Sequence, residues 1–282
     1  MYKGRGEKKM HLIEKVVEYT GDPVFTIAFM GDTHIGCVSH DRNHWLRDIA
    51  TIRDTENCFW IHDGDACECI VPTDPRWHGG GIDKCFHDRL DDLPSAQYEQ
   101  FEKDVFDIRD KCLGLSEGNH DGEFQRRHYG KLTQKSAERL GVPFLSDTAM
   151  IRITFRRLDE NGERNKSCVK TIFVQHGAGG GSKGGGKVNK MEDLPAAFEA
   201  NIYVWGHVHR KMIWPGMILR IPESGKLHLV EKEVWYVLSG SYFKTYQEGH
   251  SSYGQRAAYR PVVLGCPSIQ IRPMTGAIVG GY

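Results

Sequence analysis

Val24-Phe25-Thr26-Ile27-Ala28-Phe29-Met30-Gly31-Asp32-Thr33-His34 is the stretch on which the reading of this chain turns. Apart from Thr26 its first seven residues are apolar, and strand-favouring types dominate them, so they predict a buried β-strand. Gly31 ends the run, and two side chains able to bind a metal ion, Asp32 and His34, follow at once. In an extended segment residues two apart point to one side, so this spacing predicts that Asp32 and His34 grip one ion. The pattern recurs downstream. Cys58-Phe59-Trp60-Ile61 leads into Asp63-Gly64-Asp65, and Leu113-Gly114-Leu115-Ser116-Glu117 leads into Gly118-Asn119-His120-Asp121. Val169 to Val174 delivers Gln175-His176-Gly177, and Ile202-Tyr203-Val204-Trp205 delivers Gly206-His207-Val208-His209.

Each group of donors begins where an apolar run stops, which in α/β sheets is where binding crevices open. Asp32, Asp65 and Asn119 supply oxygens, and His34, His176, His207 and His209 supply imidazoles. That set fills two adjacent metal sites if one carboxylate is shared. Taken singly, each motif has a plainer reading: Gly-Asp and Gly-Asn-His-Asp are turn sequences, and a lone histidine is commonly a satisfied polar residue. Five of them in one chain, all at strand ends, point to a metal-dependent hydrolase. The absence of cysteine from the set suits Mn²⁺, Fe or Zn²⁺.

The remaining pattern predicts helices over 41–53, with Asp41 as N-cap, over 95–109, 131–140 and 194–199, and strands over 150–156, 169–174, 218–221, 226–230, 234–238 and 261–273. Helices gather in the first half and strands in the second, which fits one domain of two sheets with helices outside. We read 1–23 as a flexible N-terminal extension and 24–282 as the domain. Residues 72–93, rich in Pro and Gly, form an insertion that serves either as a lid or substrate-contact loop or as plain surface.

The 37 Lys and Arg balance 37 Asp and Glu, so no global field draws the chain to nucleic acid or to an acidic membrane. The polar, basic start lacks the apolar core of a signal peptide, and no apolar stretch is long enough to span a bilayer, so a cytoplasmic protein is expected. Eight cysteines without regular spacing fit reduced thiols. Cys67, Cys69, Cys85 and His87 have the types for a zinc site, but the tight CxC pair departs from the usual spacing. Gly181 to Lys187 matches most of a phosphate-binding P-loop, yet Val188 replaces its hydroxyl residue and no helix is evident there; a nucleotide-binding module is the rival outside hydrolases. A glycine-rich flap over 177–186 is the other reading of that segment.

The ordered motifs Asp32-Thr33-His34, Gly64-Asp65, Gly118-Asn119-His120-Asp121, His176 and Gly206-His207-Val208-His209 resemble those of the calcineurin-like metallophosphoesterases, over about residues 24–245. The resemblance implies a four-layer α-β-β-α sandwich of two mixed sheets flanked by helices. It also implies one metal on Asp32, His34, Asp65 and His209, and a second on Asp65, Asn119, His176 and His207. Two such cations, about 3.5–4 Å apart, would clamp phosphoryl oxygens and activate a bridging water. His120 would face substrate as general acid or phosphate stabiliser, with Glu68 and Asp121 as the carboxylates beside it.

Subfamily patterns narrow this. Glu68 stands where purple acid phosphatases carry a ligand tyrosine, the Ser/Thr phosphatase Arg-Gly is missing after Asp65, and His120 replaces the arginine of lipid A pathway hydrolases. Trp205-Gly206-His207-Val208-His209-Arg210 is similar to DNA-repair exonucleases and small phosphodiesterases, whose nuclease branch favours Mn²⁺. The 72–93 insertion with Gly240-Ser241-Tyr242 resembles phage and prokaryotic phosphoesterases. Arg126, Arg127 and Tyr242 are the expected substrate contacts, suited with Trp77 to hold a nucleic-acid strand. A phosphodiester substrate is therefore expected ahead of a phosphomonoester, without any membrane partner.

Overall fold

A computed structural model of the chain describes residues 10–128, 130–177, 185–249, 252–256 and 258–281. Its elements begin β1 (His11–Tyr19), β2 (Phe25–Met30), α1 (Arg42–Asp54), β3 (Cys58–His62), α2 (Leu93–Val105), β4 (Cys112–Ser116), α3 (Asn119–His128), α4 (Leu132–Leu140) and β5 (Phe144–Ser146). They continue β6 (Thr148–Leu158), β7 (Arg164–Gln175), α5 (Gly185–Glu192), β8 (Ile202–Trp205), β9 (Lys211–Arg220), β10 (Val230–Ser239), α6 (Tyr253–Arg256), β11 (Ser268–Arg272) and β12 (Ala277–Gly281).

Strand β2 shows how the layers form. Phe25, Ile27 and Phe29 turn to one face and Ala28 and Met30 to the other, none more than 4 % exposed, so the strand is buried on both sides. The first face meets Ile151, Ile153, Phe155, Ile172, Val174, Ile202, Val204 and Val237 of the opposite sheet, a layer closed by Ile61, Leu113, Ile269 and Ile271. The second face packs with Trp45, Ile49 and Ile52 of α1, Tyr98 and Phe101 of α2, and Ala137 and Leu140 of α4. The outer face of the other sheet carries Phe173, Tyr203, Trp205, Tyr236 and Leu238 against Met191 of α5 and Leu194. Each such side chain stabilises the fold by about 1.5–3 kcal/mol relative to exposure.

The sheets run β1-β6-β7-β8-β10-β9 and β12-β11-β2-β3-β4-β5, and both mix parallel and antiparallel pairs. Two mixed sheets flanked by helices is the expected architecture. Strands β2, β3 and β4 are parallel neighbours, so their carboxyl ends open on one edge. No helix among the described residues is long and apolar enough to cross a membrane.

Several expectations need correction. Residues 11–19 are not a flexible extension: β1 pairs in parallel with β6 from His11 against Ala149 to Tyr19 against Arg157. Its inward residues Ile13, Val17 and Tyr19 join the inter-sheet layer while Leu12 and Val16 face out. Asn119 opens helix α3, which the turn-like tetrapeptide had concealed. The helix expected at 95–109 begins at Leu93 and gives way to a 3₁₀ turn over Phe106–Lys111. A helix does start at Gly185, and the one expected over 194–199 shrinks to a 3₁₀ turn at Leu194–Ala196. Strand β9 begins at Lys211 and passes through Pro215, which an edge strand tolerates, whereas 226–229 carry no strand. The last expected strand contracts to β11, with β12 beyond it. The flap and P-loop-like segment fall largely outside the described residues.

The 72–93 insertion is seated. Val38 N–H donates to Gly81 O and Asp83 N–H to Gly36 O, at 2.9 Å each, while Ile82 and Phe86 are buried in the helix-side core.

Candidate metal centre

The loops leaving β2 and β3 are laced together. Asp32 N–H donates to Gly64 O at 3.0 Å, His34 N–H to Asp65 O at 3.1 Å and Ile35 N–H to Ala66 O at 3.0 Å. The extended geometry expected at Asp-x-His is not what holds the pair. Asp32, His34, Asp65, His207 and His209 all take left-handed φ values, from +47° to +65°. Such a backbone costs roughly 1–3 kcal/mol at a non-glycine residue and concentrates at functional sites. Glycines permit the close approach: a Cβ on Gly64, whose φ is +123°, would stand 2.6 Å from His176 Nδ1 and 2.8 Å from the Gly118 Cα.

The folded loops bring all seven expected metal ligands together. Asp32, His34 and His209 form one group, and Asp65, His176 and His207 another; within each, one donor atom per residue lies within 4.8 Å of the others. His34 Nε2 is 3.2 Å from His209 Nε2, which is 3.4 Å from Asp32 Oδ1. His176 Nε2 is 3.2 Å from Asp65 Oδ2, and the Asn119 amide sits 2.6 Å from His207 Nδ1 and 3.3 Å from His176 Nε2. A third group, His34, Asp65 and His120, joins the two, which puts Asp65 between them.

These donors fit cations. His34 Nδ1 is held by Glu68 Oε2 at 2.8 Å and His176 Nδ1 donates to the Asp63 carbonyl at 3.0 Å, so both rings turn Nε2 inward. Both Asp32 carboxylate oxygens are buried without a hydrogen-bond partner. Hydrogen bonding alone turns the Asn119 amide nitrogen toward His176, His207 and Asp65, so its oxygen would join the cluster only with the amide turned over for a cation. The charge follows: burial alone would lower the His176 value, but the Asp65 carboxylate raises it to about 10. Burial opposes the shift at His209 too, and Asp32 overcomes it. Buried lone pairs and carboxylates that draw protons this strongly are what divalent cations with nitrogen and oxygen ligands satisfy.

Around this cluster the expected substrate-facing residues divide. His120 is at the rim, its Nδ1 donating to the Glu68 carbonyl at 2.7 Å, so Nε2 is the ring atom turned to the cleft, where it meets Arg76 Nη1 at 3.2 Å. Glu68 orients His34, and its Oε2 lies 3.8 Å from His120 Nδ1. Burial would raise the Glu68 carboxyl, yet His120 and the hydrogen bond from His34 hold it below its usual value. Asp121 does not serve beside His120. It is buried, accepts from Tyr98 Oη at 2.6 Å and from Gly118 N–H at 3.0 Å, and so locks the turn before α3. Burial, reinforced by Asp65, pushes its carboxyl up to about 6.

Tyr242 is no substrate contact either. Its side chain is wholly buried, with Oη donating to Asp48 at 2.8 Å, while its N–H supports the Asp32 carbonyl at 3.1 Å. Arg126 and Arg127 lie one turn along α3 from Glu123 and both pair with it. Cys67, Cys69, Cys85 and His87 do not come together as a donor group among the described residues.

Two contributors were missed. Arg76, inside the insertion, places Nη1 3.2 Å from His120 Nε2. Phe243 packs its ring against His34 and His209, at 5.5 and 5.6 Å between centroids. Substrate contact was one of the two readings of the insertion, and Arg76 is the residue that carries the insertion to His120.

No protein-family model matches this chain, and no curated protein matches it. Solved structures do. A conserved uncharacterised protein of Streptococcus pneumoniae TIGR4, described as a predicted phosphoesterase, aligns at 13 % identity and TM-score 0.35 over 88 % of this chain and 83 % of its own. Vps29 of Chaetomium thermophilum aligns at 11 % and 0.35, over 91 % and 93 %. NAD nucleotidase (NadN) of Haemophilus influenzae aligns at 11 % and 0.41, over 93 % of this chain and 49 % of that one.

Proposed function

We propose that this chain is a metallophosphoesterase of the calcineurin-like type, a hydrolase of phosphoesters that works with two divalent cations, Mn²⁺ first among them. The observation that carries this reading is the pair of donor groups meeting at Asp65, with imidazole Nε2 atoms and the unpartnered Asp32 carboxylate oxygens turned inward. Asp32, His34, Asp65 and His209 would hold one ion, and Asp65, Asn119, His176 and His207 the other. When bound, such a pair polarises the phosphoryl group and acidifies a water.

The chain's own residues do the rest. Glu68 fixes the His34 ring and, through its carbonyl, the His120 ring. His120 Nε2 then faces the cleft, where, once it carries a proton in place of the hydrogen bond from Arg76, it serves as proton donor to the leaving oxygen. In the reaction a water oxygen forms the new bond to phosphorus and gives up a proton. The bond from phosphorus to the ester oxygen breaks, its electron pair leaves on that oxygen, and the oxygen takes up a proton. The products are a phosphate, or a phosphomonoester from a diester, and an alcohol.

A nucleic-acid strand finds less support than the sequence suggested, because Tyr242 is buried and Arg126 and Arg127 are paired with Glu123. The test is hydrolysis of p-nitrophenyl phosphate and bis-p-nitrophenyl phosphate with added Mn²⁺, alongside metal analysis. Wild type is expected to bind two ions and turn over at least one ester, and Asp65→Ala to lose both ions and turnover. Absence of bound metal in active wild-type protein would overturn the reading.

A further inference from the structure

We propose that Arg76, steered by Asp74, receives a terminal phosphoryl oxygen beside His120 and makes phosphomonoesters the preferred substrates. This rests on the phosphoesterase reading and names its substrate class.

The segment around Arg76 is built to hold a guanidinium still. Asp74 N–H donates to Val71 O at 2.8 Å and Trp77 N–H to Asp74 O at 2.9 Å, closing successive turns. The buried Asp74 carboxylate takes Arg76 Nε at 3.0 Å and Nη2 at 2.8 Å, and the Arg76 backbone N–H at 2.8 Å. A two-point carboxylate grip fixes the plane of a guanidinium as well as its position. The segment is in turn docked on α3, with Thr73 Oγ1 3.1 Å from His128 Nε2.

With Nε and Nη2 committed to Asp74, Nη1 is the nitrogen that projects to His120 Nε2, at 3.2 Å. Nη1 carries two N–H bonds, and only one can lie along the line to His120. The Arg76 side chain is 34 % exposed. His120 also shares the donor group with His34 and Asp65, so an oxygen held at that cluster lies within reach of the same rim.

The chemistry of the two ester classes separates here. A monoester dianion has three charged terminal oxygens, and with two directed at the ion pair the third needs donors of its own. A diester has only two such oxygens, and the position facing Arg76 is taken by a second ester oxygen without formal charge. A fixed guanidinium discriminates between them, because hydrogen bonds between charged partners are the stronger kind. The α3 arginines both pair with Glu123.

The experiment uses the full chain with Mn²⁺ and compares wild type, Arg76→Ala, Arg76→Lys and Asp74→Asn. It reads kcat/KM on p-nitrophenyl phosphate and bis-p-nitrophenyl phosphate, bound metal, and calorimetric binding of orthophosphate. Wild type should favour the monoester. Loss of one charge-assisted contact predicts that Arg76→Ala lowers monoester kcat/KM and orthophosphate affinity by about 10- to 100-fold. Diester kcat/KM should fall less than monoester kcat/KM, and metal content should not change. Arg76→Lys should recover part of the loss, and Asp74→Asn should raise KM for the monoester more than it lowers kcat. A wild-type preference for the diester, equal losses on both esters, or unchanged orthophosphate binding in Arg76→Ala would overturn the proposal. If wild type hydrolyses neither ester, the hydrolase reading falls by itself. Orthophosphate binding then still decides Arg76: weakening in Arg76→Ala supports it and unchanged affinity removes it.

Discussion

Glu68 offers the sharpest test of how the centre is assembled, because it supports one donor group and not the other. Its Oε2 accepts from His34 Nδ1 at 2.8 Å in a position only 12 % exposed, and His34 belongs to the group with Asp32 and His209. A hydrogen bond to a charged acceptor contributes about 1.5–3 kcal/mol, and a neutral one about 0.5–1.5 kcal/mol. Glu68→Ala removes the whole bond and should weaken that ion site by about 10- to 100-fold, the usual range for the partner behind a ligand histidine. Glu68→Gln can still offer its amide oxygen, so it keeps the neutral part and should lose about tenfold or less.

The assay is competitive titration of Mn²⁺ against a chelator, resolved into two sites, with circular dichroism of each variant as the control for folding. The site on Asp65, Asn119, His176 and His207 should keep its affinity within about threefold, because Asp63 O and not Glu68 orients His176. Equal weakening of both sites would mean that Glu68 acts on the fold at large. Unchanged affinity in both variants would mean that His34 needs no partner. Either result refutes the assignment of Glu68 as the orienting group.

Other outcomes follow from the same geometry. A methyl group at Gly118 would fall on the Asp65 carboxylate and amide, so Gly118→Ala should abolish two-ion loading as read by metal analysis while circular dichroism stays close to wild type. Val17 packs into the inter-sheet layer and Val16 is 37 % exposed, so Val17→Asp should cost about 2–4 kcal/mol in urea unfolding and Val16→Asp under about 1 kcal/mol. Similar costs for the two would contradict the β1 register. Burial lowers His40 from 6.5 to about 4, so the unfolded chain takes up a proton below pH 6.5 that the folded chain refuses. This stabilising contribution is whole above pH 6.5 and is lost as the pH falls through about 4. Relative to His40→Gln, wild type should lose about 3 kcal/mol between pH 7 and pH 4 in urea titrations.

Much of the centre was legible because each donor sits beside a break in an apolar run, and a chain that buries both faces of a sheet must place its breaks at the sheet edge. What misled was proximity along the chain. Arg126 and Arg127 follow the Asn119 motif closely, but the helix that starts there sets them three and four residues from Glu123, where opposite charges pair. Arg76 is 44 residues from His120 in sequence and reaches it only through the seated insertion. Tyr242 looked like a stacking platform, whereas its hydroxyl finds Asp48, 194 residues away on α1. Strand β1 was hidden for a related reason. The pairs Leu12-Ile13 and Val16-Val17 break the two-residue alternation, and the partner that makes the strand lies more than a hundred residues further on.

The left-handed backbone at five donor residues joins these observations into one account of the fold and the site. Strain of that kind persists only where the surroundings over-determine it. Here they do: Asp32, His34 and Ile35 are each tied by N–H to the loop after β3, Ser241 and Tyr242 clasp the Asp32 carbonyl, and Phe243 wedges against His34 and His209. Beneath them β2 and β3 are buried on both faces and leave the loops no room to relax. The donors are thus held in converging positions by the core itself. A chain selected only for stability would have no reason to aim buried carboxylate and imidazole lone pairs at one another. That arrangement lowers stability on its own, and under the proposed function cations would complete it.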